Sequence, residues 1–351
     1  MTRRALLASL PLGLAHAAVQ TRRVRQLPQV GEFVRLLDPV TENTVVRLTG
    51  LASASRFPVP SNRFVSSRER FLVFSSDRTG KFQPYRLDLR TGFLQMLADT
   101  KQLQPSSLCL TETEHSLLLI DGSTLNEISL LKKTTRKVAE DVTNFAVGRD
   151  ASELLLVRRG QLEDAAGNII VTDVTGECLL RPGGGGCLFV RQAAPGIQEF
   201  WYAPLNASNG KKPFLLASGT VSFPYWSPDG QSLLFLRNVE RNGSNLSEIH
   251  QVAVDSCSEQ PVTPTSQFAA FSPNRDASVF VGSSRSKAQP NIVIVLRSAK
   301  REMTLCEHHA SDPTSVAPVF APDSRRVYFE SDREGKSALY SINVELLVEP
   351  T

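Results

Sequence analysis

Histidine is scarce in this chain, which has 351 residues and five histidines. One of the five, His16, lies in an apolar leader, so few imidazoles are left for a folded domain. Imidazole is the commonest protein ligand for transition metals, and a site needs about three or four converging groups. His308 and His309, followed by Asp312, form the one local cluster with suitable donors. It could supply several metal ligands, or it could be a plain surface loop.

The five cysteines are scattered and form no C-x-x-C pair, which excludes a zinc knuckle and a thioredoxin-type motif. Cys178 and Cys187 flank the Gly-rich turn 182–186 and could form a disulfide in an oxidising compartment. The alternative is that they are small buried hydrophobic side chains. The odd number of cysteines leaves at least one thiol free in either case.

Long apolar runs and basic clusters are also missing. The longest leader-like run, from Ala5 to Leu14, is about half as long as the ~20 residues that a membrane-spanning helix needs. The net charge is +4, and no block of lysine and arginine resembles a nucleic-acid footprint. We therefore expect no nucleic-acid partner, and no membrane span once the leader is removed.

The N-terminus has the three-part layout of a secretory signal peptide. Arg3 and Arg4 form a basic start, an apolar run follows, and small residues surround a cleavage site after Ala17. The paired arginines also resemble a twin-arginine export signal. We predict a signal peptide over 1–17, a linker over 18–30, and a periplasmic or extracellular location.

Helical periodicity is weak, and one β-rich phrase recurs through the chain instead. Short apolar runs and alternating strands repeat at a spacing of roughly 35 to 50 residues, and Pro-Asp turns separate several of them. A period of this size with short strands is typical of a β-propeller. The predicted blades start near residues 62, 104, 143, 183, 221, 266 and 315.

These repeats predict an all-β fold, a seven-bladed β-propeller of four-stranded antiparallel blades in a single domain over residues 31–349. The last blade lacks a fourth strand, because the chain ends soon after its third. The segment 31–49 contains two short strand-like runs joined by an Asp38-Pro39 turn. One run is predicted to supply the missing strand, close the ring and remove a free sheet edge.

Several other groups are better explained as structure than as chemistry. His115 lies in a predicted turn, and His250 is expected to be exposed or a capped core residue. Gly183–Gly186 lacks the Gly-Lys-Ser/Thr ending of a phosphate loop. Trp201-Tyr202 could stack on a sugar, although an aromatic residue in a blade strand usually belongs to the core.

The phrase SDRxGK occurs twice, at Asp77-Arg78 and at Asp332-Arg333. Each pair could be an acid and a cation of an active site. The two pairs occupy matched places in the first and seventh repeats, which favours a structural interpretation. We predict that each aspartate caps a turn and that each arginine pairs locally.

The chain resembles the oligogalacturonate lyases, seven-bladed propellers of pectin breakdown that are similar in repeat style to TolB-type propellers. The resemblance rests on DPVTENTVVRLT, FLVFSSDRTGKFQPYRLDLRTG, TLCEHH and PVFAPDSRRVYFESDREGKSALYSINV. It covers most of residues 31–345 and is strongest at the two ends. The SDRxGK phrase is widespread among TolB-like blades, whereas its combination with LCEH and DPxT is more specific.

The resemblance implies β-elimination on a uronate, in which a base removes the C5 proton while a cation and an arginine neutralise the adjacent carboxylate. It also implies a divalent metal such as manganese, held by histidines and a glutamine. The matching positions here are Phe223, Ser315 and Ala317, so these histidines are absent. The glutamine has no clear counterpart, and we predict no metal cofactor.

Three functions remain open from the sequence. The first is an exported, non-catalytic or divergent relative that binds an acidic (uronate) oligosaccharide. The second is an active lyase, which would need a manganese-type ion and a rebuilt site around His308 or His309 with an arginine. The third is a TolB-like envelope module that binds another protein.

Overall fold

The computed structural model describes residues 31–205, 212–241, 243–265 and 267–347. The predicted signal peptide 1–17, its cleavage site after Ala17 and the linker 18–30 lie outside the described residues. Helical structure in these ranges is confined to the 3-10 turns Pro105–Ser107 and Pro313–Ser315. None of the described helical segments is long and apolar enough to span a bilayer.

Seven antiparallel sheets follow one another around a ring, which confirms the predicted all-β, seven-bladed propeller. Six sheets have four strands in chain order, and the seventh combines strands from both ends of the chain. Within a blade the first strand is innermost, so the seven first strands surround the central channel. Each blade is therefore a meander whose loops emerge at the two mouths of that channel.

The first two strands in the chain are β1 (Val34–Leu37) and β2 (Thr44–Arg47), which belong to the last blade. Blade 1 contains β3 (Ser55–Arg56), β4 (Phe71–Ser76), β5 (Gln83–Asp88) and β6 (Leu94–Met96). Blade 2 contains β7 (Cys109–Leu110), β8 (Ser116–Asp121), β9 (Thr124–Ser129) and β10 (Thr134–Ala139). Blade 3 contains β11 (Val142–Val147), β12 (Leu154–Arg158), β13 (Gln161–Asp164) and β14 (Ile169–Thr172).

Blade 4 contains β15 (Cys178–Leu180), β16 (Gly186–Ala194), β17 (Ile197–Pro204) and β18 (Phe214–Gly219). Blade 5 contains β19 (Val221–Trp226), β20 (Ser232–Arg241), β21 (Ser244–Ala253) and β22 (Glu259–Pro264). Blade 6 contains β23 (Phe268–Pro273), β24 (Val279–Ser284), β25 (Asn291–Leu296) and β26 (Arg301–Glu307). Blade 7 contains β27 (Val319–Phe320), β28 (Arg326–Ser331) and β29 (Ala338–Asn343).

The core lies between neighbouring blades rather than within any one of them. Second strands are buried on both faces because each blade packs against a neighbour on either side; all six residues of β4 are buried. Across the interface of blades 4 and 5, the rings of Phe200 and Phe235 meet edge to face, 5.7 Å apart. Five second strands contribute a completely buried phenylalanine: Phe74, Phe189, Phe235, Phe280 and Phe329.

The N-terminal strand closes the ring, as the sequence predicts. β2 pairs with β29 in antiparallel register, with Val45 opposite Ile342 and Arg47 opposite Tyr340. β2 therefore supplies the missing fourth strand of blade 7. β1 adds a fifth strand outside β2, which extends this blade beyond the predicted four.

The DPxT turn between β1 and β2 attaches the closing strands to blade 6. Asp38 is 1% exposed, and its Oδ2 accepts from the amide of Glu307 at the end of β26 (2.9 Å). Thr41 Oγ1 and Asn43 Nδ2 donate to the carbonyl of Leu305, at 2.9 and 2.8 Å. The DPxT and LCEH phrases therefore face each other in the structure as two sides of one structural contact.

The two SDRxGK phrases form equivalent hairpin turns, between β4 and β5 and between β28 and β29. Ser76 Oγ donates to the carbonyl of Ala54 (2.8 Å), while Asp77 Oδ1 accepts from the amide of the same residue (2.8 Å). In blade 7, Ser331 Oγ donates to the carbonyl of His308 (2.6 Å). Each hairpin therefore holds the loop that leads into its own blade.

The lysine of each phrase reaches the following blade. Lys81 Nζ donates to the carbonyl of Thr100 in the loop before blade 2 (2.6 Å). Lys336 Nζ donates to the carbonyl of Ala52 in the loop before blade 1 (2.7 Å). The repeated motif thus connects successive blades.

The arginines of the two phrases lie over tyrosines of the third strands. Arg78 is 5.3 Å from the ring centroid of Tyr85 and 3.2 Å from the carboxylate of Glu32. Arg333 lies 5.8 Å from the ring centroid of Tyr340. These are local cation–π and ion-pair contacts, so the Asp-Arg pairs have structural roles.

Four of the five cysteines are core side chains, and all five thiols are free. Cys178 on β15 lies opposite Phe189, and Cys187 on β16 lies opposite Leu180. All five cysteines are unbridged, and all except Cys257 are buried. Burial raises the pKa of Cys187 to about 12, so its reactive thiolate form is disfavoured.

A carboxyl pair lies at the seam between blades 1 and 7. Burial and a hydrogen bond with Asp323 raise the pKa of Glu69 to about 8. Arg326 lies 3.3 Å from the Glu69 carboxyl group. Glu69 Oε1 and the hydroxyl of Tyr328 are buried without a hydrogen-bond partner among the described residues. The closed ring therefore favours a protonated Glu69.

We predict that Asp38→Ala destabilises the protein by about 1.5–3 kcal/mol, the usual contribution of a hydrogen bond to a charged group. The measurement is the free energy of unfolding in urea. Asp88→Ala is the matched control, because Asp88 caps a similar turn through Thr91 but makes no bond to another blade in the described structure. Equal losses in the two variants would contradict the role given to the contact with Glu307.

We predict that Glu69→Gln becomes more stable relative to the unmodified protein as pH rises. Because the folded state binds the Glu69 proton more tightly, its contribution to stability is complete below about pH 4.5 and is lost up to about pH 8. The slope is at most about 1.4 kcal/mol per pH unit. Melting curves across this window measure the difference, and Glu140→Gln on the exposed surface is the control. A constant difference between Glu69→Gln and the unmodified protein would refute the assignment.

Candidate binding site at the channel mouth

One segment of blade 1 leaves the blade and crosses the central channel. After β3 the chain runs through Phe57–Arg63, here called the channel segment, and returns at Val65, which bridges Leu72 on β4. Ser61 Oγ donates to the carboxylate of Glu177 in blade 4, at 2.9 Å. A segment that starts in blade 1 and reaches blade 4 spans the channel.

The sequence FPVPSNR explains how the backbone of this segment is restricted and anchored. Pro58 and Pro60 restrict the backbone and have no N–H that would need a partner away from a sheet. Arg63 anchors the far end: its Nε donates to the carbonyl of Leu110 (3.3 Å) and Nη2 to that of Val147 (2.8 Å). The segment is thus attached to blades 2, 3 and 4.

Two cavities lie beside the channel segment, which contributes residues to both. The first, here called the arginine cavity, measures about 430 Å³ and is lined by Arg56, Phe57, Pro105, Ser106, Ser315, Glu330, Ser331, Asp332 and Ser337. The second, here called the glutamate cavity, measures about 300 Å³ and is lined by residues 59–62, Asn144, 176–178, Val190, Gln198 and 222–225.

A larger cavity of about 950 Å³ opens toward the turns between first and second strands. Gly183 and Gly184 of the Gly-rich turn line it, together with Arg181 and Trp226. Both glycines have positive φ, which suits a tight turn. Its floor is formed by apolar side chains of blades 3 and 4.

His308 is completely buried rather than exposed on a loop. Its Nε2 lies 3.3 Å from the carbonyl of Ser284, and its Nδ1 accepts from the amide of Ala310 at 3.1 Å. Burial lowers the pKa of His308, so the neutral ring is favoured. Because backbone groups occupy both ring nitrogens, His308 acts as a structural side chain.

His309 follows His308 directly in the chain and its charge also lowers the His308 pKa, whereas His115 and His250 belong to other blades. His309 lies beside Glu307, with 3.0 Å between Nε2 and the carboxylate. His250 is 8% exposed, and its two nitrogens lie 2.7 Å from Glu259 and 3.3 Å from Glu248. His115 is exposed. The structure brings neither His115 nor His250 to the His308-His309 pair.

The three positions at which the resemblance implies metal-binding histidines lie at the channel mouth, in different surroundings. Ser315 is exposed and lines the arginine cavity. Phe223 lines the glutamate cavity, at a bulge of β19 with a φ of 53°. Ala317 is half-buried just before β27. The channel segment lies between the cavities of Ser315 and Phe223.

These residues do not fit a manganese-type centre. The phenyl and methyl side chains at 223 and 317 have no donor atom, and the hydroxyl of Ser315 donates to the carbonyl of Asp312 (2.7 Å). Across the described parts of the chain, no group of three or more His, Cys, Asp and Glu side chains could hold a metal ion.

The arginine cavity combines one guanidinium with two engaged carboxyl groups. Glu330 accepts from Ser337 Oγ (2.7 Å) and from the amide of Phe57 (3.2 Å). Burial raises the pKa of Glu330. Although burial acts in the same direction on Asp332, hydrogen bonds from Ser311 hold the pKa of Asp332 below its usual value.

The glutamate cavity holds an isolated carboxyl group next to a phenol. Burial raises the pKa of Glu177, against the hydrogen bond from Ser61. The hydroxyl of Tyr225 is buried and has no hydrogen-bond partner among the described residues. Burial and the nearby Glu177 charge raise the pKa of Tyr225.

Sequence reasoning missed Arg56, Glu177 and the channel segment. The only sequence signal for the segment is the Pro-x-Pro spacing at Pro58 and Pro60, which by itself indicates no particular site. Arg56 ends the first strand of blade 1, and Glu177 directly precedes the first strand of blade 4. No repeated motif marks either position. Their proximity to the channel follows only from the ring.

Comparison with solved structures supports the fold assignment. An oligogalacturonate lyase in complex with manganese superposes with a TM-score of 0.77 at 18% identity, covering 89% of this chain and 96% of that one. The oligogalacturonate lyase of Vibrio parahaemolyticus gives 0.73 with the same identity and coverage. No protein-family model and no curated protein matches the sequence.

The propeller is also similar to a chain of the mitotic checkpoint complex, with a TM-score of 0.58 at 13% identity over 97% of this chain and 99% of that one. The predicted likeness to oligogalacturonate lyases is thus confirmed as a likeness of fold. At identities this low the chain shares an architecture with these proteins, while activity has to be argued from its own residues.

We predict that the purified protein binds manganese only weakly. After dialysis against metal-free buffer and addition of Mn²⁺, gel-filtered protein should retain well under one ion per chain by elemental analysis, because the matching positions have no suitable donors. A stoichiometric ion, or a manganese-dependent rise in melting temperature that His309→Ala abolishes, would contradict this prediction.

Proposed function

We propose that this chain is an exported, non-catalytic propeller that binds an acidic, uronate-containing oligosaccharide in the arginine cavity. The observation that carries the proposal is the position of Arg56. Its guanidinium lines the same cavity as Ser315, the position at which the resemblance implies a metal ligand. A fixed cation thus takes the place of a metal as the partner of the uronate carboxylate.

Arg56 is suited to this role because its guanidinium is exposed at the cavity. It lies over the ring of Phe82, 5.5 Å from the centroid, and its charge acts on the carboxyl group of Glu330. The side chain is exposed at the channel mouth. A guanidinium presents a planar fork of N–H donors that matches the two oxygens of a carboxylate.

The rest of the cavity fits a sugar. Ser106, Ser315 and Ser337 contribute hydroxyl groups, and the ring of Phe57 offers an apolar face. Burial raises the pKa of Glu330, although the nearby charge of Arg56 opposes this shift. A cavity of about 430 Å³ lies in the range of small-molecule sites.

The same cavity offers no free base for elimination. Removal of the C5 proton requires a base within hydrogen-bond reach of the sugar. Both oxygens of Glu330 already accept hydrogen bonds, and Asp332 accepts from the amide and the hydroxyl of Ser311. These carboxyl groups are engaged in holding the loops, which supports binding without turnover.

Export follows from the leader as the second part of the proposal. The basic start, apolar run and small residues before Ala17 support passage to the periplasm or the cell exterior. In either location the protein would encounter uronate oligomers released from pectin. An antibody against the mature chain, applied to cell fractions, tests this part.

We predict that calorimetry with digalacturonate detects binding, and that Arg56→Ala weakens it about tenfold or more, equivalent to about 1.4 kcal/mol. Arg90→Ala, which removes an exposed arginine of a turn outside the cavity, should bind like the unmodified protein. Affinity should also fall with added salt, since the contact pairs opposite charges near the surface.

Two results would overturn this function. An ultraviolet-absorbing unsaturated uronate, formed from oligogalacturonate with manganese, would establish an active lyase instead. No heat with any uronate, or equal heat with Arg56→Ala, would remove the saccharide-binding proposal. The TolB-like protein–protein module would then be the function to test.

A further inference from the structure

The carboxyl group of Glu177 in the glutamate cavity lacks a charged partner. One of its oxygens accepts from Ser61 Oγ at 2.9 Å, and this is its only side-chain hydrogen bond among the described residues. No lysine, arginine or histidine lines the cavity, and Glu177 is its only acidic residue. The cavity therefore carries one uncompensated negative charge when Glu177 is ionised.

Glu177 is half-buried, and an unpaired carboxylate that is partly withdrawn from water has a free-energy cost that two changes relieve. Glu177 can take up a proton, in line with its raised pKa. Alternatively, a cation can enter the cavity and pair with it. The second change needs a cavity that is large enough and that presents further groups to the cation.

The lining of the cavity meets this need. Asn62, Asn144 and Gln198 contribute side-chain amides whose oxygens accept hydrogen bonds, and the rings of Phe223 and Tyr225 lie at the same wall. An ammonium group has three donors and no acceptor. It pairs with carboxylate and carbonyl oxygens and is also attracted to aromatic faces.

The phenol of Tyr225 adds an independent observation. Its hydroxyl is buried and unpartnered among the described residues, although such groups are normally hydrogen-bonded. Tyr225 lines both the glutamate cavity and the larger cavity, so its ring lies between them. The glutamate cavity therefore has an aromatic wall beside its carboxyl group.

We propose that the glutamate cavity binds the primary ammonium group of an amino sugar, with Glu177 as its counter-ion. A volume of about 300 Å³ is at the lower end for small-molecule sites and suits a single sugar ring. A ring supplies hydroxyl groups for the side-chain amides, which an inorganic cation would not. The ligand class is thus a cationic monosaccharide unit.

This proposal goes beyond uronate binding and does not depend on it. The arginine cavity and the glutamate cavity lie beside different parts of the channel segment and have different charged groups: one arginine with two carboxyl groups in the first, and Glu177 alone in the second. Arg56 belongs to the first and Glu177 to the second. Either site can therefore fail its test while the other passes.

The test uses the unmodified full chain and three sugars of the same size class. Calorimetry with D-glucosamine should show binding, whereas D-glucose and N-acetyl-D-glucosamine, which lack the ammonium, should bind at least tenfold more weakly. Equal binding of the three sugars, or no heat with glucosamine, would overturn the proposal. This comparison needs no variant and so does not depend on whether a variant folds.

Variants then assign the site. Glu177→Gln should lose at least tenfold in glucosamine affinity. Glu153→Gln is the matched control, because Glu153 lines only the larger cavity, and it should bind normally. Unchanged affinity in Glu177→Gln, with an unaltered melting temperature, would refute the assignment. Digalacturonate binding to Glu177→Gln should be unchanged, which separates this site from the arginine cavity.

Discussion

Closure of the ring by β2 is the contact on which the rest of this structure depends. A blade buries its apolar faces only against two neighbours, so an open ring would expose a blade face and a sheet edge. β2 pairs with β29, and the Asp38 turn attaches the same segment to the end of β26. Both ends of the chain are thereby held in one cooperative unit, and the channel acquires a fixed wall.

The motifs that make the fold recognisable are those that hold this ring together. The serine and aspartate of SDRxGK hold the loop before their own blade, and the lysine holds the loop before the next. DPxT and LCEH face each other across the junction of blades 6 and 7. Likeness in these phrases is therefore likeness of architecture, and it leaves the chemistry of the channel open.

The channel mouth is distinguished by the charged side chains that line its cavities. The channel segment is flanked by two cavities, one with the guanidinium of Arg56 and one with the isolated carboxyl group of Glu177. The guanidinium of Arg56 lines the same cavity as Ser315, one of the positions at which the resemblance implies a metal ligand. These fixed charges support the proposed binding role, whereas proton removal would need a base that is not already hydrogen-bonded.

Strand period, turn residues and repeat spacing are local properties, and for that reason the sequence by itself determined the all-β class, the seven blades and the closing strand. The positions Phe223, Ser315 and Ala317 could be named in the same way, as departures from a motif. Only the tertiary structure decided that His308 is buried and that Arg56 lines the same cavity as Ser315. Only the ring brings Ser61 to Glu177. Such contacts join loops of different blades, far apart in the chain, and no local pattern encodes which of them meet across a channel.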